Sequence, residues 1–158
     1  MQQPQWISSR RLLPRNDNDD EFATAHQTLP DRALEKAAGV LIVEDDFLIA
    51  MQAEDALTDA GIIVVGVAST AEEAILLARQ HKPVLAVMDI RLAGQRDGIE
   101  AAEELFRELG IKCVFATAHG DQRTRSRAEP FAPLGWLAKP YTMESLIALV
   151  RQGIAGEV

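Results

Sequence analysis

Cysteine is nearly absent from this chain. Cys113 stands alone, so no intramolecular disulfide can form. A chain without such bridges suits a reducing compartment. Cys113 falls inside a predicted strand and reads as a small buried hydrophobe rather than a reactive thiol. Long apolar runs are missing too. None approaches the roughly 18 residues of a membrane span, and the N-terminus lacks the apolar core of a signal peptide. A cytoplasmic location with no membrane partner is therefore expected. Basic residues are scarce, 16 Lys and Arg against 24 Asp and Glu. Residues 39–158 carry 11 basic and 18 acidic side chains, a formal charge of −7. Nucleic-acid binding takes most of its affinity from basic surface, so no nucleic-acid partner is expected.

What is present is a composition 47% apolar and 25% charged, that of an ordinary globular domain. A length of 158 residues supports one domain with a tail. Residues 1–38 differ from the rest. They hold Pro4, Pro14 and Pro30, a basic patch of Arg10, Arg11 and Arg15, and an Asn/Asp-rich stretch over 16–21. No helical or strand period persists there, which predicts a disordered N-terminal tail. The alternative is a docking arm using Trp6, Leu12 and Leu13. The folded domain is expected over 39–158.

From Val40 onward, short apolar runs alternate with helical patterns. Strands are predicted at about 40–44, 62–67, 84–88, 111–116 and 134–138. Helices are predicted at about 46–60, 70–82, 99–109 and 142–153. In the first helix Ile49, Ala53, Ala56 and Ala60 share a face. In the second, Thr70 and Glu73 have capping-box spacing, and Ala71, Ala74, Ile75 and Ala78 form a stripe. Thr142 is placed to cap the last helix. The fourth helix, within 119–129, has a poor signal. Arg123, Arg125 and Arg127 alternate with Thr124 and Ser126, and Ala128 is its one apolar side chain. Such a helix gains little from packing and is expected to be short, shifted or mobile. Strictly alternating strands and helices with right-handed crossovers give an α/β fold, a doubly wound five-stranded parallel sheet. The flavodoxin-like order 2-1-3-4-5 makes strands 1 and 3 neighbours.

Ligands of such sheets bind beyond the carboxyl ends of the strands. Four strand ends here carry chemistry: Glu44-Asp45-Asp46 after strand 1, Asp89 after strand 3, Thr117 after strand 4, and Lys139-Pro140 after strand 5. Clustered carboxylates repel, and a hard cation such as Mg²⁺ relieves this. The expected ligands are Asp45, Asp89 and the backbone carbonyl of Arg91, with Glu44 acting directly or through a water. Mn²⁺ is a plausible substitute. Asp89 is the candidate nucleophile, since a carboxylate can take a phosphoryl group as an aspartyl phosphate. Phosphoryl transfer rests on positioning and charge. The Lys139 ammonium would hold one phosphoryl oxygen, and the Thr117 hydroxyl with the Ala118 N–H another. Singly, each residue has a plainer reading: Asp as a helix cap, Thr as a strand former, Lys-Pro as a loop. Convergence at four strand ends favours the chemical one.

These residues resemble the receiver domain of two-component response regulators. The resemblance covers about 40–155 and rests on Val40-Leu41-Ile42-Val43-Glu44-Asp45-Asp46, Met88-Asp89-Ile90-Arg91-Leu92, Asp97-Gly98, Ala116-Thr117-Ala118 and Lys139-Pro140-Tyr141. It implies a CheY-like fold and phosphorylation of Asp89 by a histidine kinase or histidine phosphotransfer protein. It also implies Mg²⁺ at the acidic pocket, a switch hydroxyl at Thr117, and an ion-pairing Lys139 followed by a cis peptide to Pro140. Output would pass through the face of helix 4, strand 5 and helix 5 to an unnamed protein partner or a second copy. Trp136 stands where the family usually has Tyr or Phe as a rotating switch. The alternative is a static Trp at an interface. Position 93 is Ala where Pro is common. His119 would lie near the site as a modulator of phosphoryl lifetime. Phe115-Ala116-Thr117-Ala118-His119 further resembles the Phe-Ala-Thr motif of a subgroup of alphaproteobacterial receivers, but departs from its Gly-Tyr-like ending.

The chain stops soon after the last predicted helix, so a stand-alone regulator is expected, a phosphoacceptor rather than a multiple-turnover enzyme. Two alternatives are a Mg²⁺-dependent phosphohydrolase and a degenerate receiver serving only as a binding module. Against the first, the nucleophile follows strand 3, and Arg91 stands where a second Asp would be needed.

Overall fold

The computed structural model describes residues 38–118 and 120–156. The expectations for His119 and for all but the last residue of the N-terminal stretch fall outside them.

Five strands form one parallel sheet: β1 Gly39–Val43, β2 Ile63–Ala68, β3 Leu85–Asp89, β4 Lys112–Thr117 and β5 Gly135–Ala138. Their order is β2-β1-β3-β4-β5, the doubly wound arrangement expected. The helices are α1 Phe47–Asp59, α2 Ala71–His81, α3 Gly98–Leu109, α4 Gln122–Ala128 and α5 Met143–Ala155. Element bounds match the sequence reading to within a residue or two, the normal scatter of helix and strand ends.

Strand alternation divides the core in two. Leu41 and Val43 of β1, Met88 of β3 and Phe115 of β4 point toward α2 and α3. Val40, Ile42, Leu85 and Val87 point the other way, against Leu57 of α1 and Leu146 and Val150 of α5. Both faces of the sheet are therefore covered, as its continuous apolar strands require.

The caps explain where helices start. Asp46 turns to α1, its Oδ1 accepting from the Leu48 and Ile49 N–H groups at 2.9 and 3.1 Å. This cap fixes where α1 starts, but the expected stripe needs correction. Ala50, Ala53 and Leu57 are buried, while Ile49, Ala56 and Ala60 are only half-buried. Leu57 offers far more apolar area than the alanines, so the helix rolls to bury it. The α2 stripe is buried as expected. Thr70 caps Glu73 N–H at 3.1 Å, but Glu73 reaches back to the Ser69 N–H rather than to Thr70. α3 carries a full capping box between Asp97 and Glu100. α4 is short, as its composition predicts: seven residues, then a 3₁₀ turn at Glu129–Phe131. Phe131 of that turn is buried and packs on the α3 side of the core, supplying the apolar anchor α4 lacks.

Candidate functional site

The sheet register brings the chemistry together. Val43 pairs with Met88, so the residues after them, Glu44 and Asp89, lie side by side. Asp89 pairs with Ala116 and Thr117 with Ala138, placing Thr117 and Lys139 at the same end. These residues line a cleft of about 600 Å³ with Asp45, Arg91 and Ala118. Glu44, Asp89 and Thr117 are the buried polar residues of the domain among those described.

Lys139 is the hub. Its ammonium donates to Glu44 Oε2 at 2.6 Å and to Asp89 Oδ2 at 2.9 Å. Burial pulls the Lys139 pKa down, but bonding to Glu44 and Asp89, with their charges, outweighs it and raises the net value. The ammonium therefore stays charged. Burial raises the Glu44 pKa, and the Asp89 charge adds to this, while the bonds from Lys139 and Asp46 oppose it. Both Glu44 oxygens are engaged, since Oε1 also accepts from the Asp46 N–H at 3.1 Å. Asp89 Oδ1 accepts the Arg91 N–H at 3.3 Å. The Lys139–Pro140 peptide is cis, as anticipated.

The donor set fits a hard divalent cation. One carboxylate oxygen from each of Glu44, Asp45 and Asp89 lies within 4.8 Å of the others, with Asp45 exposed and the other two buried. One ammonium offsets only one of three carboxylates, and hard oxygens are what Mg²⁺ takes.

Trp136 is not in the cleft. It is half-buried and stacks on Phe115 with ring centroids 4.8 Å apart and planes 22° apart. Four cleft residues had no site role in the sequence reading: Ile49, Ile90, Asp121 and Thr124. The last two had a legible signal, an Asp three residues before Thr at a helix start. Asp121 caps α4 by accepting the Thr124 N–H at 2.8 Å.

The five-stranded doubly wound sheet thus carries acidic residues, a hydroxyl and a lysine at its carboxyl edge, where sheets of this class bind their ligands. The comparison with known families agrees: residues 40–151 match the response regulator receiver domain, and the chain belongs to that family. It is 34% identical over 116 residues to the transcriptional regulatory protein PdtaR of Mycobacterium tuberculosis, covering 73% of this chain and 56% of that one. It is 34% identical over 124 residues to the phyllosphere-induced regulator PhyR of Methylorubrum extorquens, covering 77% and 45%. The chain thus spans about half the length of these curated relatives. Among solved structures, a signal receiver domain of a modulated diguanylate cyclase from Desulfovibrio desulfuricans is 36% identical with a TM-score of 0.70, covering 75% of this chain and 94% of that one.

Proposed function

We propose that this receiver domain accepts a phosphoryl group on Asp89 from a histidine kinase or histidine phosphotransfer protein. The observation that carries the reading is the buried Asp89 carboxylate, held by Lys139 beside Glu44 and Asp45. In the step, an Asp89 oxygen bonds to phosphorus as the donor's phosphorus–nitrogen bond breaks, and the imidazole leaves. Lys139 already contacts Asp89 Oδ2 and can follow a phosphoryl oxygen with a charge-assisted bond. Thr117 and the Ala118 N–H line the same cleft and serve another oxygen. Asp45 and Asp89, with the Arg91 carbonyl, would hold Mg²⁺ or Mn²⁺. Glu44, with both oxygens engaged, would join through a water. When bound, the cation neutralises charge on the phosphoryl oxygens.

The reading is of a signalling protein within a two-component pathway, with its output partner bound at α4, β5 and α5, where a second copy could also pair. Intact-mass measurement after acetyl phosphate treatment tests the core of it. One Mg²⁺-dependent phosphoryl adduct on wild type, absent from Asp89→Ala, is expected. Repeated turnover of generic phosphate esters would instead make the protein a phosphohydrolase. No adduct from acetyl phosphate or from a phosphorylated histidine donor would leave a binding module.

A further inference from the structure

α4 buries one side chain, Ala128, so something other than an apolar stripe must seat it. Phe131 anchors the turn that follows it, and along the helix itself two arginines make contacts on two sides. At about 100° per residue, Arg125 lies about 200° around the helix from Arg127. Arg127 meets Asp97 Oδ2 at 2.7 Å, on the α3 side. Arg125 faces β5, its guanidinium carbon 5.0 Å over the Trp136 ring. The Arg125 Nε also donates to the Gly120 carbonyl at 3.2 Å, which fixes the plane of the guanidinium. Phe115 already stacks on the indole at 4.8 Å. Trp136 therefore meets the Phe115 ring and the Arg125 guanidinium at once.

We infer that Arg125 is the positioning residue for Trp136: it clamps the indole onto Phe115 and ties α4 to β5. The attraction is a cation over the electron-rich indole face, strongest for Trp among aromatic rings. Phe115 and Trp136 are register partners, and Thr117 lies two residues beyond Phe115 on the same face of β4. The clamp thus sits two register steps from the hydroxyl of the cleft. Its role in signalling rests on the phosphorylation of Asp89 proposed above; the clamp itself does not.

The test uses the full chain carrying Trp6→Phe, which leaves Trp136 as the single tryptophan. Acrylamide quenching of its fluorescence is compared for Arg125→Ala, Arg125→Lys and Arg127→Ala. Arg125→Ala should raise the quenching constant at least about twofold by opening one indole face, and Arg125→Lys should restore part of the shielding. Arg127→Ala, which cuts the opposite flank, should leave the constant unchanged. An Arg125→Ala constant equal to the parent's would overturn the clamp. So would Arg127→Ala raising it equally, because Arg125 would then act only by keeping α4 folded. Acetyl phosphate labelling of the same proteins is read separately. An unlabelled parent counts against the phosphoacceptor reading and leaves the quenching result standing.

Discussion

α3 and α4 begin alike and are held differently. Each follows a strand that ends in the cleft, and each starts on an aspartate cap, Asp97 or Asp121. α3 buries Ile99, Ala101, Ala102 and Leu105 and ends on Gly110 in the left-handed conformation. α4 buries Ala128 alone and leans on arginine contacts. Burying a leucine contributes about 1.5–3 kcal/mol. An exposed ion pair contributes about 0–1 kcal/mol, and an exposed cation–π contact about 0.5–1 kcal/mol. The difference teaches where the domain is firm and where it can yield. α3 fixes the loop behind Asp89, whereas α4 can shift at small cost. Two helices on one side of one sheet can thus serve as anchor and moving part.

The anchor is the place for the largest effect. Leu105 is fully buried. Leu105→Ala should lower unfolding free energy by about 3 kcal/mol, through lost burial and the cavity left behind. Urea denaturation measures it. No single substitution in α4 should match that loss. A loss below about 1 kcal/mol for Leu105→Ala would mean that α3 is not the firm element argued for here.

Next in size is Gly98→Ala, at the first turn of α3. Gly98 N–H donates to the Ile90 carbonyl at 2.8 Å. A Cβ on Gly98 would fall 1.9 Å from the Asp89 carbonyl oxygen, which is backbone and has little room to move. Either α3 retreats or the end of β3 moves. The expected cost is about 1–3 kcal/mol, typical of overpacking. The phosphoryl uptake proposed for Asp89 should slow as well, since positioning dominates such chemistry. A variant with unchanged denaturation midpoint and unchanged uptake rate would show that the tight approach places nothing.

Much of this was legible in the sequence. Apolar runs and helical stripes give the strands and the parallel sheet, because burial on both faces leaves a strong periodic signal; the strand order came from the chemistry, which needs Glu44 and Asp45 beside Asp89. Glu44, Asp45, Asp89, Thr117 and Lys139 were legible as a group because each follows an apolar strand. The phase of α1 was misread, because its many alanines and apolar residues fit more than one face and Leu57 decided the outcome. The poor signal of α4 predicted a helix that is short, shifted or mobile, and it is seven residues long. Its arginines left no trace of their partners, since Trp136 and Asp97 are distant in sequence and only packing brings them near. Asp97 was noticed as half of an Asp-Gly pair, but its double duty needs coordinates.

That double duty gives the smallest effect and the finest probe of the comparison. Asp97 Oδ1 accepts the Ile99 and Glu100 N–H groups at 3.0 and 2.9 Å, capping α3, while Oδ2 accepts Arg127 of α4. Asp97→Ala removes both and should cost about 1 kcal/mol, mostly as a lost cap. Arg127→Ala removes only the ion pair. The two side chains are 45% and 30% exposed, so solvent screens their attraction, and the global cost should be about 0.5 kcal/mol or less. The effect should instead be local. Amide exchange in α4 should quicken in Arg127→Ala while α3 keeps its protection, because α3's cap and apolar stripe are untouched. Salt should narrow the gap between wild type and Arg127→Ala, as screening weakens an exposed pair. Equal loss of protection in both helices would mean that α3 and α4 open as one unit, and the contrast between anchor and moving part would fail.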